Sequence, residues 1–416
     1  MNFDLMRSLL IDRALRGELF SNVTSVEAEG KSLEEEQTIP FTIPNHWQWK
    51  RVADCVQFNP KVIQDDAVEV SFIPMADVEP GFVDQCSTRQ AKPWAKVKKG
   101  FSRFQEGDLL VAKITPCFQN RKSCVAKSLI NGTGAGSTEF HVMRCVSGVD
   151  AKFLLYFFKS EYFIRYGVNH FNGTVGQQRV GAQDIKDCLI PVPSVEEQVR
   201  IVAKLEEAFA EIDRAEKAYE ELQTLAGVLR GQILQKAMHG ELVPQLEGEA
   251  LPVGVKDVLE HSLDVPKTWK VTKLGDLISI KSGDGLSRKQ YRSGPIPVYG
   301  GNGVNGYHDC SNVEKNTLVI GRVGYYCGNV QKTREPAWVT DNALIVTFKH
   351  DANVDFYLYI LNAMKLGSKT SQTAQPVITG KILKPMLVPV PPLEEQARIV
   401  AKVEELLKHV DALSAR

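Results

Sequence analysis

IPVPSVEEQVRIVAKLEEAFAEID, residues 190–213, returns at 388–411 as VPVPPLEEQARIVAKVEELLKHVD, an offset of 198 positions with 14 of the 24 residues identical. Average amino-acid usage gives roughly one or two identities over that length, so the stretch is a duplication. Two further matches extend it. IPNHWQWKRVADC (43–55) pairs with VPKTWKVTKLGDL (265–277) at an offset of 222, aligning Pro44 with Pro266, Trp47 with Trp269 and Asp54 with Asp276. SLLIDRALRGELF (8–20) pairs with GQILQKAMHGELV (231–243) at 223. Trp47 to Pro191 spans 144 positions and Trp269 to Pro389 only 120, so two unequal variable units each precede a copy of one connector.

The connector reads as helix. No proline occurs from Val195 to Ala237, and apolar residues fall at Val202, Leu205, Phe209, Ile212, Ala215, Tyr219, Leu222, Ala226, Leu229 and Ile233, which is heptad spacing with a local stammer. Ser194 with Glu197 has the form of a capping box, and Gly240 supplies a stop. About 45 residues at ~1.5 Å each make a spacer of roughly 65–70 Å. Its stripe needs a partner, and the other copy, lying antiparallel, is the expected one. The offsets place Arg416 on Ala218 and Met1 on Thr224. The second connector is therefore split between the two chain ends, which are expected to stack end to end in a pseudo-twofold, circular arrangement.

Outside the connectors the pattern changes to short β-type runs, DLLVAKITP (108–116), STEFHVMRCV (137–146), TLVIGRVGYY (317–326) and WVTDNALIVTF (338–348), with helical stretches near 151–165 and 353–366. The fold class is mixed α/β (α+β), with two globular units separated by long antiparallel coiled-coil helices. The expected boundaries are a half-connector at 1–20, a linker at 21–42, the first unit at 43–190, the central connector at 191–243, a surface linker at 244–264, the second unit at 265–388 and the other half-connector at 389–416.

With 50 Lys+Arg against 50 Asp+Glu and 43% hydrophobic residues, the composition is that of a globular protein rather than a disordered tail or fibre. No apolar run reaches the roughly 18 residues of a membrane span, and the N-terminus mixes charges among its apolar residues unlike a signal peptide, so a cytoplasmic location is expected. The eight cysteines form no CxxC pair, which suits reduced core thiols better than a zinc site or disulfides.

Enzyme motifs are missing. Gly301, Gly303 and Gly306 satisfy GxGxxG formally, but no amphipathic helix follows and no acidic residue closes a second strand, so a glycine-rich turn or recognition loop is expected. There is no GxxxxGK[ST], HExxH or GxSxG, and the only Pro-Pro pair, Pro391-Pro392, precedes a leucine rather than the aromatic of an amino-methyltransferase.

Charge is distributed unevenly. Ten basic residues from Arg89 to Lys127 face two acidic ones, and Lys92, Lys96, Lys98, Lys99, Arg103, Lys113, Arg121 and Lys122 are the candidate phosphate contacts of the first unit, interleaved with Trp94, Phe101, Phe104 and Phe118. Lys281, Arg288, Lys289 and Lys369 are their counterparts in the second. Amide-rich loops supply candidate base readers. They are Asn172, Gln177, Gln178 and Arg179 in FNGTVGQQRV (171–180), Gln375 at the equivalent of Gln177, and Asn302, Asn305, Tyr307 and His308 in the other loop of the second unit.

Two connectors of the form P-x-P-x-x-E-E-Q-x-R-I-V-x-K-x-E-E, each after a variable unit, resemble the specificity subunits of type I restriction-modification systems. So do PVYGGNGVNGYHD (297–309), VIGRVGYYCGNV (319–330), WVTDNALIV (338–346), LLVAKITPCFQNRKSCVA (109–126), STEF (137–140) and GTVGQQRV (173–180). The resemblance covers nearly the whole chain. It implies a non-catalytic protein with two target recognition domains, each reading half of an asymmetric, interrupted sequence of double-stranded DNA. It also implies two methyltransferase subunits carrying S-adenosylmethionine and two restriction subunits using ATP and magnesium, with no cofactor or metal on this chain. A stand-alone nuclease or methyltransferase, and a coiled-coil adaptor that binds only protein, are the other classes the residues leave open.

Overall fold

The computed structural model describes residues 1–20, 39–86, 90–324, 326–369 and 377–414. Two compact units, Met1–Ala218 and Tyr219–Arg416, meet within one continuous 44-residue helix, Val195–Met238. Each unit thus owns half of that connector, one sheet-rich body and one terminal helix: Phe3–Leu15 in the first, Leu393–Ser414 in the second. Among the described residues no helix is long and apolar enough to cross a membrane.

Both bodies open and close on the same two-stranded ladder. Gln48–Arg51 pairs with Leu189–Val192 in the first unit, and Lys270–Lys273 with Leu387–Val390 in the second. Inside lies an antiparallel four-stranded sheet, ordered Val56–Phe58, Phe140–Cys145, Leu109–Ala112, Ser123–Val125. Its counterpart is Ile278–Ser282, Ala343–Phe348, Leu318–Gly321, Val330–Lys332. A second sheet packs against each. In the first unit it runs Gln90–Pro93, Glu69–Ile73, Thr133–Gly136, Ser102–Gln105, with its middle pair parallel. In the second it has three strands, Gly303–His308, Ile296–Gly300 and Trp338–Val339, again with one parallel pair. The strand Ser102–Gln105 is reduced in the second unit to a single antiparallel bridge, Val313 with Ala337.

Alternation along Glu69–Ile73 separates two cores. Ile73 packs with Phe104, Leu110 and Val142 between the sheets, while Val70 and Phe72 face outward beneath Trp94 and Val97. The second unit gathers Leu318, Ile320, Leu344 and Val346 with Phe356, Tyr357 and Ile360 of the helix Val354–Ala363 and with Ile399 and Val403 of the C-terminal helix.

The helix ends repeat in detail. Gly17 at φ +75° and Gly240 at φ +71° both take the left-handed conformation that ends a helix, with Glu18 N–H donating to Arg13 O and Glu241 N–H to Lys236 O at 2.9 Å each. A Cβ would lie 2.4 Å from Pro44 Cγ at the first glycine and 2.5 Å from Pro266 Cγ at the second. The half-helices also carry one ion pair twice, Arg7 to Asp213 and Arg230 to Asp411, each at 2.6 Å. These residues match at the offsets 223 and 198 of the sequence repeat.

Some expectations change. The heptad stripe is buried at Val202, Leu205, Phe209 and Ile212 but exposed at Ala215 and Leu229. The buried part packs on its own body, Phe209 lying 5.6 Å from Tyr156 and 6.2 Å from Phe82, so a neighbouring helix is not its sole cover. One arm of the capping box forms, Glu197 N–H to Ser194 Oγ at 3.3 Å. The segment 244–264 is more than a surface linker: Val255 is buried, Val258 N–H donates to Val271 O, and Glu249 pairs with Arg398. Of the linker 21–42, residues 21–38 lie outside the described residues, as do Arg89 and Gln375.

Candidate nucleic-acid interface

Four backbone hydrogen bonds tie together the strand ends at one apex of the first body. Ser137 N–H donates to Ile73 O (3.2 Å), Phe140 N–H to Ser137 O (3.3 Å), Lys113 N–H to Glu139 O (3.0 Å) and Val180 N–H to Lys113 O (3.0 Å). The second body repeats all four: Thr340 N–H to Tyr299 O (2.9 Å), Ala343 N–H to Thr340 O (3.0 Å), Arg322 N–H to Asn342 O (2.9 Å) and Ile378 N–H to Arg322 O (2.8 Å). The isolated bridges Ile114–Arg179 and Val323–Val377 fall at the same place. Each apex is a frame of main chain onto which different side chains are set.

In the first unit FNGTVGQQRV is a hairpin, Phe171 opposite Val180 and Asn172 opposite Arg179. Gly173 and Gly176 turn its tip at positive φ, and Asn172 and Gln177 are exposed there beside Val175, which is 91% exposed. Gln178 is half-buried, its carbonyl accepting from Thr115 N–H. Arg179 grips Glu139 with two hydrogen bonds of 2.9 Å. Those bonds, ahead of the opposing cost of burial, hold the Glu139 carboxyl below its ordinary range.

The lysine-rich run forms a second surface on the outer face of the other sheet. Val70 lies opposite Lys92, and Phe72 lies opposite Ala135, which itself faces Arg103, so Lys92 and Arg103 share one face. Lys92 Nζ sits 3.3 Å from the Phe72 ring centroid, and Phe101 meets that ring edge-on at 5.0 Å. Lys96 and Lys99 are exposed on and just after the short helix Trp94–Val97 that covers the face, while Lys98 is tied to Asp66 at 2.5 Å. The turn 137–140 lies between this surface and the hairpin, since Ser102 opposes Gly136 while Arg179 grips Glu139.

Two of the candidates turn inward. Arg121 donates to Lys159 O and to Glu161 and lies over Phe82; its charge is taken up by the fold, so it is a structural residue rather than a phosphate contact. His308 is 1% exposed, packs against Trp338 at 5.5 Å and accepts Arg292 N–H on Nδ1, so it is no base reader. Lys122 is also engaged, donating to Met75 O, whereas the half-buried Lys113 sits at the frame itself.

The second unit's glycines form a strand-turn-strand, Ile296–Gly300 with Gly303–His308 around Gly301-Asn302, with Gly303 at φ +95°. Asn302 is exposed at the turn and Tyr307 is 59% exposed, while Asn305 accepts from the Tyr291 hydroxyl. Lys281, Arg288 and Lys289 are exposed, and Lys369 ends the turn Leu366–Lys369. Among the described residues the one cluster of metal-ligand type is His308, Asp309 and Cys310. It is already knit into the strand end through Arg292. Burial pushes the thiols of Cys55 up to about 11 and of Cys124 and Cys188 up to about 12, as expected of inert core cysteines.

The family model of the type I restriction modification DNA specificity domain matches residues 44–224 and again 266–415. The chain belongs to this family. Across 98% of its length it is 26% identical to the EcoAI type I restriction enzyme specificity subunit of Escherichia coli, 89% of which is covered. It is 31% identical to the EcoEI specificity subunit of that organism over 51% of this chain and 40% of the relative. Among solved structures, a chain from work on complex assembly and conformational transition of the type I R-M system superposes with TM-score 0.73 at 20% identity, covering 90% of this chain and 94% of that one. The HsdS subunit from Thermoanaerobacter tengcongensis gives 0.57 at 20%, covering 90% and 92%. At such identities the likeness is one of fold, two sheet-rich bodies with a long helix between them.

Each specificity domain contains one apex and one copy of the E-E-Q motif, and the structure explains the glutamine. Gln198 is fully buried, accepting Asp150 N–H at 2.8 Å and donating to Gly148 O and Pro193 O. Gln396 does the same with Asn353 N–H and Pro391 O. It locks the start of the connector to the start of the domain's own helix. What sequence reasoning missed is Arg322, which stands where Lys113 stands. Its segment VIGRVGYYCGNV was singled out, but a cation without basic neighbours leaves no charge run to notice.

Proposed function

We infer that the chain is the sequence-specific DNA-recognition subunit of a type I restriction-modification complex, in which each specificity domain reads one half of a bipartite, asymmetric site. The observation that carries this reading is the repeated apex, one main-chain frame presenting two different sets of polar side chains, each set ahead of a copy of the duplicated connector. Lys92, Lys96, Lys99, Arg103 and Lys113 supply phosphate contacts in the first domain, and Lys281, Arg288 and Lys289 in the second. Asn172, Gln177, Gln178 and Asn302 present amides to base edges, with Tyr307 beside them. The chain itself carries out no chemistry. Methyltransferase subunits, two per chain, bring S-adenosylmethionine, and two restriction subunits bring ATP and magnesium, all in the cytoplasm.

Co-expression with the methyltransferase subunit of its own system, followed by mapping of methylated adenines across the host genome, tests this. One interrupted motif with two unlike halves is expected, and no modification by the chain alone with S-adenosylmethionine and DNA. Methylation or cleavage by the isolated chain would overturn it.

A further inference from the structure

The apex of the second domain holds a cation that lies outside every basic run. Arg322 is half-buried and its main chain is pinned on both sides, by its N–H to Asn342 O and its carbonyl to Ile378 N–H. Its guanidinium reaches only neutral acceptors, Ser282 Oγ and Asp341 O, both at 3.3 Å, and no ion pair to it is found among the described residues. In the first domain Lys113 occupies this place and the clamp of Glu139 with Arg179 lies across it. In the second, Asn342 stands for Glu139 and Val377 for Arg179, so the clamp is gone. Lys113, Glu139 and Arg179 sum to one positive charge, as do Arg322, Asn342 and Val377. All three side chains differ, yet each set of three carries one positive charge, with Asp341 beside the second set where the first has Thr138.

We propose that Arg322 is a phosphate-gripping residue of the second domain, equivalent to Lys113 in the first. A cation common to two domains that present different amides suits the one part of duplex DNA that is the same in every sequence, its phosphate backbone. A guanidinium held by long bonds to neutral oxygens keeps donors and charge available to an anion.

The inference rests on the DNA-recognition reading, and the test separates the two. Binding of a duplex carrying the native motif is measured against salt for the chain assembled with its methyltransferase subunits, comparing wild type, Arg322→Gln, Arg322→Lys and Lys113→Gln. Each glutamine variant should lower the salt slope by about 0.9 and weaken binding roughly tenfold, the size of one charge-assisted hydrogen bond, while the methylated motif stays the same. Arg322→Lys should keep the slope, because it keeps the charge. Equal weakening by lysine and glutamine with no difference in slope would assign Arg322 to packing through Ser282 and Asp341 and overturn the proposal. So would an unchanged slope in Arg322→Gln, or a motif relaxed at one base of one half with the slope intact. A wild-type assembly without site-specific binding would remove the parent reading, and this inference with it.

Discussion

At the foot of each domain the two copies are interchangeable, and at the apex they share no side chain. Gln198 and Gln396 are the same residue and share two buried bonds, because there the side-chain amide itself satisfies main-chain groups cut off from water. At the apex main chain bonds to main chain, so Lys113, Glu139 and Arg179 have become Arg322, Asn342 and Val377 without loss of the frame. Duplication has preserved residues where the side chain closes the hydrogen-bond account of the fold, and released them where the backbone does so unaided. The entry tryptophans fall between these cases. Trp269 Nε1–H donates to the buried Glu395 at 2.9 Å, but Glu197 turns to His46 instead, and Trp47 Nε1 finds no partner among the described residues.

Exchanging residues 265–388 for the corresponding segment of another specificity subunit should replace one half of the methylated motif entirely and leave the other intact. Joint change of both halves would break the separation of foot from apex. Next in size, Gln198→Leu should destabilise the first unit by about 3 kcal/mol and Gln396→Leu the second by about 2, since one more hydrogen bond is lost at Gln198. Denaturant unfolding followed by a probe in each unit reads this directly, and equal losses at apex sites such as Asn342→Ala would contradict it. Trp269→Phe should then cost about 1–2 kcal/mol by removing the donor to the buried Glu395 Oε2, Oε1 still accepting from Gln245, against less than about 0.5 from hydrogen bonding for Trp47→Phe.

Substituting Lys96, Lys98 and Lys99 together should lower the salt slope of DNA binding by about 2 rather than 3, because Lys98 is held by Asp66. An unchanged slope would assign that outer face to solvent or to a protein partner. The smallest effect is the clamp. The Glu139 carboxyl is held below its ordinary value by Arg179, so its contribution is complete above the unfolded carboxylate range and is lost as pH falls through the lower, folded value. Glu139→Gln should therefore flatten acid destabilisation of the first unit, by less than about 1 kcal/mol for a pair this exposed, and Asn342 leaves the second unit nothing comparable.

The duplicated connector, the stop at Gly240 and the strand-rich character of each body were legible in the amino-acid order. Helical periodicity and a glycine that ends a helix both show in nearby residues. The equivalence of the two apices was not legible. Its partners stand at offsets of 226 for Ile73 and Tyr299, 209 for Lys113 and Arg322, 203 for Ser137 and Thr340, and 198 for Val180 and Ile378, because the loops between them differ in length. No single alignment register brings them together, and main-chain hydrogen bonds demand no particular side chain, so they leave no residue pattern behind. Tertiary structure alone also decided which charges reach the surface. Arg121 and His308 look like binding residues among their neighbours in sequence. Only the packing of Glu161 and Phe82 around one, and of Trp338 and the Arg292 main chain around the other, turned them into parts of the fold.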